Sequence, residues 1–137
     1  MKWTWNFRDG NNAVLTNPAT FTHNYANAGT FNATLQVETN KGCVSTVFTK
    51  PILINIVPDA GFISPEVCLA DPSAPFIDTS KISTGSVISW QWNFGDPNAS
   101  ADNPNTSTLK NPTHRYTLVG DYTAALIVTC NTGCTDT

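Results

Sequence analysis

The sequence predicts an all-β fold of antiparallel two-sheet sandwiches arranged in tandem, and three observations carry that prediction. Phe31, Ala33, Leu35 and Val37 alternate with Asn32, Thr34, Gln36 and Glu38, the period of two that buries one side of a strand and wets the other. Turn residues interrupt such runs at short intervals, with no helical periodicity between them. Finally, Trp3-Thr4-Trp5-Asn6-Phe7-Arg8-Asp9-Gly10 returns as Trp90-Gln91-Trp92-Asn93-Phe94-Gly95-Asp96-Pro97. The architecture is therefore repeated.

Taken in order, Lys2 to Phe7 forms an aromatic strand, because rings at i, i+2 and i+4 share one strand face. Arg8 to Asn12 is a turn rich in residues that tolerate positive φ, and Asn17-Pro18 ends the loop. Ala19 to Tyr25 reads as a short strand with Phe21, His23 and Tyr25 on one face. Ala26 to Gly29 turns the chain into the alternating strand around Phe31. Asn40-Lys41-Gly42 signals a hairpin, and Cys43 to Val57 continues as a β-rich segment in which Pro51 implies an edge position or a bulge.

Pro58-Asp59-Ala60 marks a boundary. Beyond it Phe62-Ile63 and Pro75 to Asp78 read as strands, with Cys68 in the connection between them. Val87 to Phe94 brings back the aromatic motif, and an Asn/Ser/Thr/Pro-rich loop runs from Pro97 to Lys110. Tyr122, Ala124, Leu126 and Val128 then repeat the alternating strand, and Asn131-Thr132-Gly133 repeats the hairpin turn.

The copies align as Asn17-Pro18 with Asn111-Pro112, His23 with His114, Tyr25 with Tyr116, Gly29 with Gly120, Phe31 with Tyr122 and Cys43 with Cys134, a period of about 90 residues. We expect domains at 1–57 and 58–137, cut out of phase. The first lacks the strands that Ala60 to Ser80 give the second, and the second lacks the strand that Cys43 to Val57 gives the first. A permutation in which Ala60 to Ser80 folds back onto the first copy is the alternative. The chain reads as a window on a longer array or as a piece with imperfect boundaries.

The ordered elements Trp-x-Trp-Asn-Phe-(Gly)-Asp, Asn-Pro-x-His-x-Tyr, Gly-x-Tyr-x-Ala-x-Leu-x-Val and a Gly-Cys after the hairpin resemble the polycystic kidney disease (PKD) domain family. The second copy carries all of them. The first has Arg8 where the family has Gly, and about three extra residues between Asn17-Pro18 and His23. The resemblance implies immunoglobulin-like β-sandwiches, and non-catalytic extracellular modules strung in arrays or appended to secreted proteases, polysaccharide-degrading enzymes and adhesins.

Composition narrows the function. The 137 residues carry a formal net charge of −3, with 12% charged residues and no basic cluster, which excludes the electrostatic footprint of a nucleic-acid binder. No apolar run approaches the roughly 18 to 20 residues that span a bilayer. Four cysteines without a CxxC pair favour disulfides in an oxidising compartment over structural zinc. Any secretion signal is expected outside this chain.

Candidate sites are few. Trp3, Trp5 and Phe7, with Trp90, Trp92 and Phe94, could stack against sugar rings but better suit core filling, each burying about 150 to 250 Å². His23 and His114, with Tyr25 and Tyr116, sit in repeated contexts that indicate structural bonding to a neighbouring loop. No nucleophile accompanies them. Asp96, Asn98, Ser100 and Asp102 resemble the start of a calcium loop, yet the glycine and closing Glu are missing, so an Asx-turn network is expected and no cofactor. The disulfide candidates are Cys68 with Cys134 or, alternatively, Cys68 with Cys130. The Asn-x-Ser/Thr triplets at Asn32, Asn98 and Asn105 match the glycosylation pattern and are given no role.

The function expected is therefore a non-catalytic extracellular or cell-surface spacer and interaction (adhesion) module of a larger repeat protein. Its partners would be other domains of the same parent, with a surface protein or polysaccharide as a further possibility. The alternative is a carbohydrate-binding accessory module on a secreted hydrolase.

Overall fold

The computed structural model describes every residue except Pro18, Pro65, Ala70 and Pro72, so the proline of the Asn17-Pro18 motif lies outside the described residues. The chain divides into two compact units, Met1–Asn55 and Ile56–Thr137. All regular structure among the described residues is β, and its ladders are antiparallel.

The first unit is one four-stranded sheet. Its strands are β1 (Lys2–Asn6), β2 (Asn12–Leu15), β3 (Gly29–Glu38) and β4 (Phe48–Ile54), in the order β2-β1-β3-β4. Register sets Trp3 opposite Val37, Trp5 opposite Leu35 and Phe31 opposite Ile52, which collects the large apolar side chains on one face. Pro51 lies on the edge strand β4, where its missing N–H breaks no inner ladder.

The second unit has two layers. Its main sheet runs β12-β11-β8-β9, from β8 (Val87–Asn93), β9 (Thr106–Ser107), β11 (Ala125–Cys130) and β12 (Thr135–Asp136). Two short ladders form the other layer. One pairs β5 (Phe62–Ile63) with β7 (Ile77–Asp78), and the other pairs β6 (Ala74–Pro75) with β10 (Thr113–His114). Ala74 and Phe76 thereby meet Trp92, Phe94, Leu126 and Val128 in a core whose members are all at most 2% exposed. Ala60 to Ser80 thus completes the second unit, against the permutation that folds it back onto the first.

Three expected strands differ in extent. Ala19 to Tyr25 joins no ladder among its described residues; its counterpart Thr113–His114 pairs with Ala74–Pro75, and the first unit presents no equivalent partner among the described residues. Cys43 to Val57 is reduced to Phe48–Ile54 plus a single bridge at Val44, because the Ser45 hydroxyl takes the Val37 N–H at 3.0 Å in place of a ladder carbonyl. Tyr122 to Ala124 likewise precedes the ladder, which begins at Ala125.

A bulge also adjusts the aromatic strand of the second unit. Cys130 pairs with Val87 and Thr129 with Ser89, which leaves Ile88 extra and 59% exposed. That extra residue turns Val87 to the same side as Trp90 and Trp92, where it packs on the core.

Both hairpins that close on a cysteine share one geometry. Cys130 N–H donates to the Cys134 carbonyl (2.9 Å) and Gly133 N–H to the Cys130 carbonyl (2.9 Å), while Thr39, Cys43 and Gly42 repeat this at 2.8 and 3.1 Å. Gly133 and Gly42 take φ of 86° and 81°, the left-handed residue a three-residue loop requires.

Candidate functional site

The repeated polar residues converge on an aspartate–histidine pair in each unit. In the second, the turn after Phe94 places Asp96 beneath the strand that carries His114, and the imidazole Nε2 lies 2.9 Å from Oδ2 of Asp96. The side chains are 0% and 1% exposed. Asp96 Oδ1 accepts the Asn98 N–H at 2.8 Å in an Asx turn. Burial alone would raise the Asp96 carboxyl, but the Asn98 amide and the His114 imidazole hold it below the ordinary carboxylate value. An ionised carboxylate only accepts, so Nε2 of His114 carries the proton between them.

The first unit builds the same pair less deeply. His23 Nε2 is 2.7 Å from Asp9 Oδ2, with side chains 17% and 10% exposed. Asp9 accepts the Asn11 N–H at 3.0 Å, and against the effect of burial that amide and His23 lower its carboxyl.

Each histidine sits within a ladder of rings. Phe94 stacks on His114 (4.5 Å between centroids), His114 meets Tyr116 edge-on (4.8 Å), and Tyr116 stacks on Tyr122 (4.1 Å). Phe7, His23, Tyr25 and Phe31 reproduce the series at 3.8, 4.7 and 4.4 Å. The Tyr116 hydroxyl donates to the Phe94 carbonyl at 2.8 Å. Burial and the Asp96 charge raise the phenol above its ordinary value; burial and Asp9 do the same at Tyr25.

This arrangement ties the turn after each aromatic strand to the histidine-bearing segment. Among the described residues neither imidazole bonds a Ser, Thr or Cys side chain, so a proton acceptor is present without a nucleophile to activate. Sequence alone assigns both histidines a structural role without naming these partners, and reads Asp96 as a loop or calcium residue. The signal was available: Asp follows Phe by two residues in both copies, and both copies carry the histidine.

The loop from Pro97 to Lys110 is tied by amide side chains. Asn105 receives the Asp96 N–H at 2.7 Å and donates to Asn93 at 3.0 Å, while Asn103 donates to the Arg115 carbonyl at 2.7 Å. Asp96 uses Oδ1 for the Asn98 N–H and Oδ2 for the His114 imidazole. No group of three His, Cys, Asp or Glu positioned for a metal occurs among the described residues.

Of the tryptophans, Trp92 is 2% exposed and donates its indole N–H to the Leu109 carbonyl at 2.8 Å. Trp90 is partly buried against the core; its indole N–H is buried without a partner among the described residues, and Lys110 Nζ lies 5.6 Å from the ring centroid.

The sequence matches the PKD domain family at residues 1–53 and again at residues 58–137. The chain belongs to the PKD domain family. PKD domains are immunoglobulin-like β-sandwiches, the fold class the alternation and turn spacing predict. Two curated relatives, both named Pre-pro-metalloprotease PrtV, come from Vibrio cholerae serotype O1 strains M66-2 and ATCC 39315 / El Tor Inaba N16961. Each is 37% identical over 83 residues, which is 61% of this chain and 8% of the relative. The similarity thus concerns one modular part of those proteins.

Within the PKD units all four cysteines are unbridged, and the structure brings Cys68 to neither Cys130 nor Cys134. Cys68 shares a hollow with Tyr116, Leu118 and Tyr122, which precede the start of β11, whereas Cys130 ends that strand. Cys130 and Cys134 instead face one hydroxyl, with Thr132 Oγ1 at 3.0 and 3.8 Å from their sulfurs. The Thr132 hydroxyl lowers the Cys130 thiol despite burial. In the first unit Thr39 stands where Cys130 does, so Cys43 faces a threonine across its hairpin.

Proposed function

We propose that this tandem PKD chain is a non-catalytic extracellular spacer and interaction module of a larger secreted or cell-surface protein. The observation that carries this reading is the enclosure of Asp96 by His114, at 0% and 1% side-chain exposure. The ionisable pair with a catalytic appearance is sealed in the core and consumed by its own hydrogen bonds. A composition polar through Asn, Ser and Thr rather than charge supports an extracellular setting, as does a relative named as a pre-pro-protein. The partners are other domains of the same parent, with surface proteins or polysaccharides reached through side contacts.

The test inserts the chain between two fluorescent reporters and measures time-resolved energy transfer against a Gly/Ser linker of equal residue number. A spacer gives a narrow distance distribution that broadens only on unfolding. A distribution as broad as the linker's overturns the reading. A parallel pull-down on insoluble polysaccharides, lost in Trp3→Ala and Trp90→Ala with folding unchanged, would replace it with the carbohydrate-binding module.

A further inference from the structure

Cys130 and Cys134 face each other across the hairpin that joins β11 to β12. The ladder pairs Val128 with Asp136 and Thr129 with Thr135, so the next register position sets Cys130 opposite Cys134, and the Cys130 N–H donates to the Cys134 carbonyl at 2.9 Å. Directly opposed residues of an antiparallel pair project to the same face, with Cα atoms about 5.5 Å apart where they are hydrogen-bonded. That separation falls inside the range of roughly 4.4 to 6.8 Å that a disulfide spans. The sulfurs also converge on one atom, since Thr132 Oγ1 lies 3.0 Å from the Cys130 Sγ and 3.8 Å from the Cys134 Sγ.

The two thiols differ in access. Cys130 continues the inward face of Leu126 and Val128 and is 0% exposed, whereas Cys134 is half-buried. A soluble oxidant therefore reaches Cys134 first. The Thr132 hydroxyl, joined by the N–H groups of Thr132 and Cys134, holds the Cys130 thiol below its ordinary value although burial opposes it. A thiol shielded from solvent but readily ionised is suited to resolve a bond formed at its neighbour.

The first unit shows that the turn itself does not require this pair. Its hairpin has the same hydrogen bonds, with Cys43 in the place of Cys134, yet Thr39 stands opposite and its hydroxyl takes the Cys43 N–H at 3.1 Å. The second sulfur is an addition to a hairpin that closes without it.

We propose that Cys130 and Cys134 are a redox site of the second unit, closing on oxidation to a disulfide across the Asn131-Thr132-Gly133 loop. The oxidant is a low-molecular-weight disulfide of the oxidised-glutathione class. The Cys134 thiolate attacks one sulfur of that disulfide and expels one thiolate, leaving a mixed disulfide; the Cys130 thiolate then attacks the Cys134 sulfur and expels the second. Both protein thiols are oxidised, the external disulfide is reduced to a pair of thiols, and the protons lost by the cysteines go to the released thiolates. Closure displaces the Thr132 hydroxyl from between the sulfurs and ties β12 covalently to β11. β12 carries Asp136, whose Oδ2 accepts the Ala60 N–H at 2.9 Å, and Ala60 packs on the core. The site stands whether or not the tandem acts as a spacer.

The test uses the full chain with Cys43→Ser and Cys68→Ser, both at exposed positions, equilibrated over a series of reduced-to-oxidised glutathione ratios and quenched with iodoacetamide in denaturant. Trypsin releases residues 116–137 as one peptide, since no Lys or Arg follows Arg115. The expected product is that peptide lighter by a pair of hydrogens and free of alkylation. Its closure equilibrium constant should be at least about tenfold larger in the folded chain than in the same chain in urea, because the folded ladder holds the sulfurs together before the bond forms. The unfolding equilibrium of the second unit should shift by the same factor on oxidation. Cys134 ending as a mixed disulfide with glutathione while Cys130 is alkylated, a bridge joining one chain to another, or equal closure constants folded and unfolded would each overturn the proposal.

Discussion

The two units solve the same packing problem to different depths. Both lay Trp-x-Trp-x-Phe along a strand and clip a histidine to an aspartate beside it, yet Phe94 is 1% exposed where Phe7 is 7%, and His114 1% where His23 is 17%. The difference lies in the second layer. The second unit folds Phe62, Ala74 and Phe76 over its sheet, while among the described residues of the first the ring laid over Trp5 and Phe7 is Phe21. In exchange the first unit has the fuller sheet, with β3 paired along seven residues to β4, whereas β12 pairs with two residues of β11. Burial of the shared motif thus follows the covering strands that each unit carries among the described residues.

Truncating the central tryptophan breaks this comparison most directly. Trp92→Ala should destabilise the second unit by about 3 to 5 kcal/mol, the range for a buried aromatic. Trp5→Ala should cost the first unit about 1 to 2 kcal/mol, in proportion to its smaller burial. Hydrogen exchange resolved by unit during denaturant titration checks both; equal losses would show that the first face is covered in solution.

The turn glycine gives the next effect. Gly95 has φ of 67°, and a Cβ there would run into the Thr123 backbone. Gly95→Ala should cost about 2 to 4 kcal/mol from left-handed strain and the clash together. The equivalent residue of the first unit is Arg8, already at φ of 62°. Arg8→Gly should therefore stabilise by no more than about 1 kcal/mol, since relieved strain is offset by a more flexible unfolded chain. Thermal melts read both.

Removing the imidazole sharpens the contrast in burial. His114→Leu leaves a buried Asp96 oxygen without its donor and should cost about 2 kcal/mol. His23→Leu should cost less, because water reaches Asp9.

Acid provides the smallest and most diagnostic effect. Both carboxyls titrate below their ordinary value of 3.8 when folded, so their contribution is complete above that value and is lost as pH falls below it through the folded-state value. Asp96→Asn should flatten the acid limb of the second unit and leave the first unchanged, as amide signals followed between pH 5 and pH 2 would show.

Much of the fold was legible because strand period and turn chemistry are local. Trp5, Leu35 and Val37 announce one face by alternation, and Gly42 and Gly133 announce their hairpins. Two sites were less legible, for a physical reason. Asp96 and His114 stand 18 residues apart, so no local spacing links them, and only the return of Phe-x-Asp with a histidine in both copies points to the pair. Phe21 reads as one face of a strand; that its ring packs edge-on against Trp5 and Phe7 is a tertiary fact. Cysteine pairing is likewise a tertiary matter, because Cys68 is placed by its loop and Cys130 by its strand.

The sequence by itself determined the repeat, the β class, the PKD family and the inward face of each strand, since these follow from period and motif. Tertiary structure decided which face is covered, that Asp9 and Asp96 are the partners of the histidines, and that the loop residue Phe21 packs on Trp5 and Phe7. Burial is a property of what lies opposite a side chain, and the residue opposite is chosen by the fold.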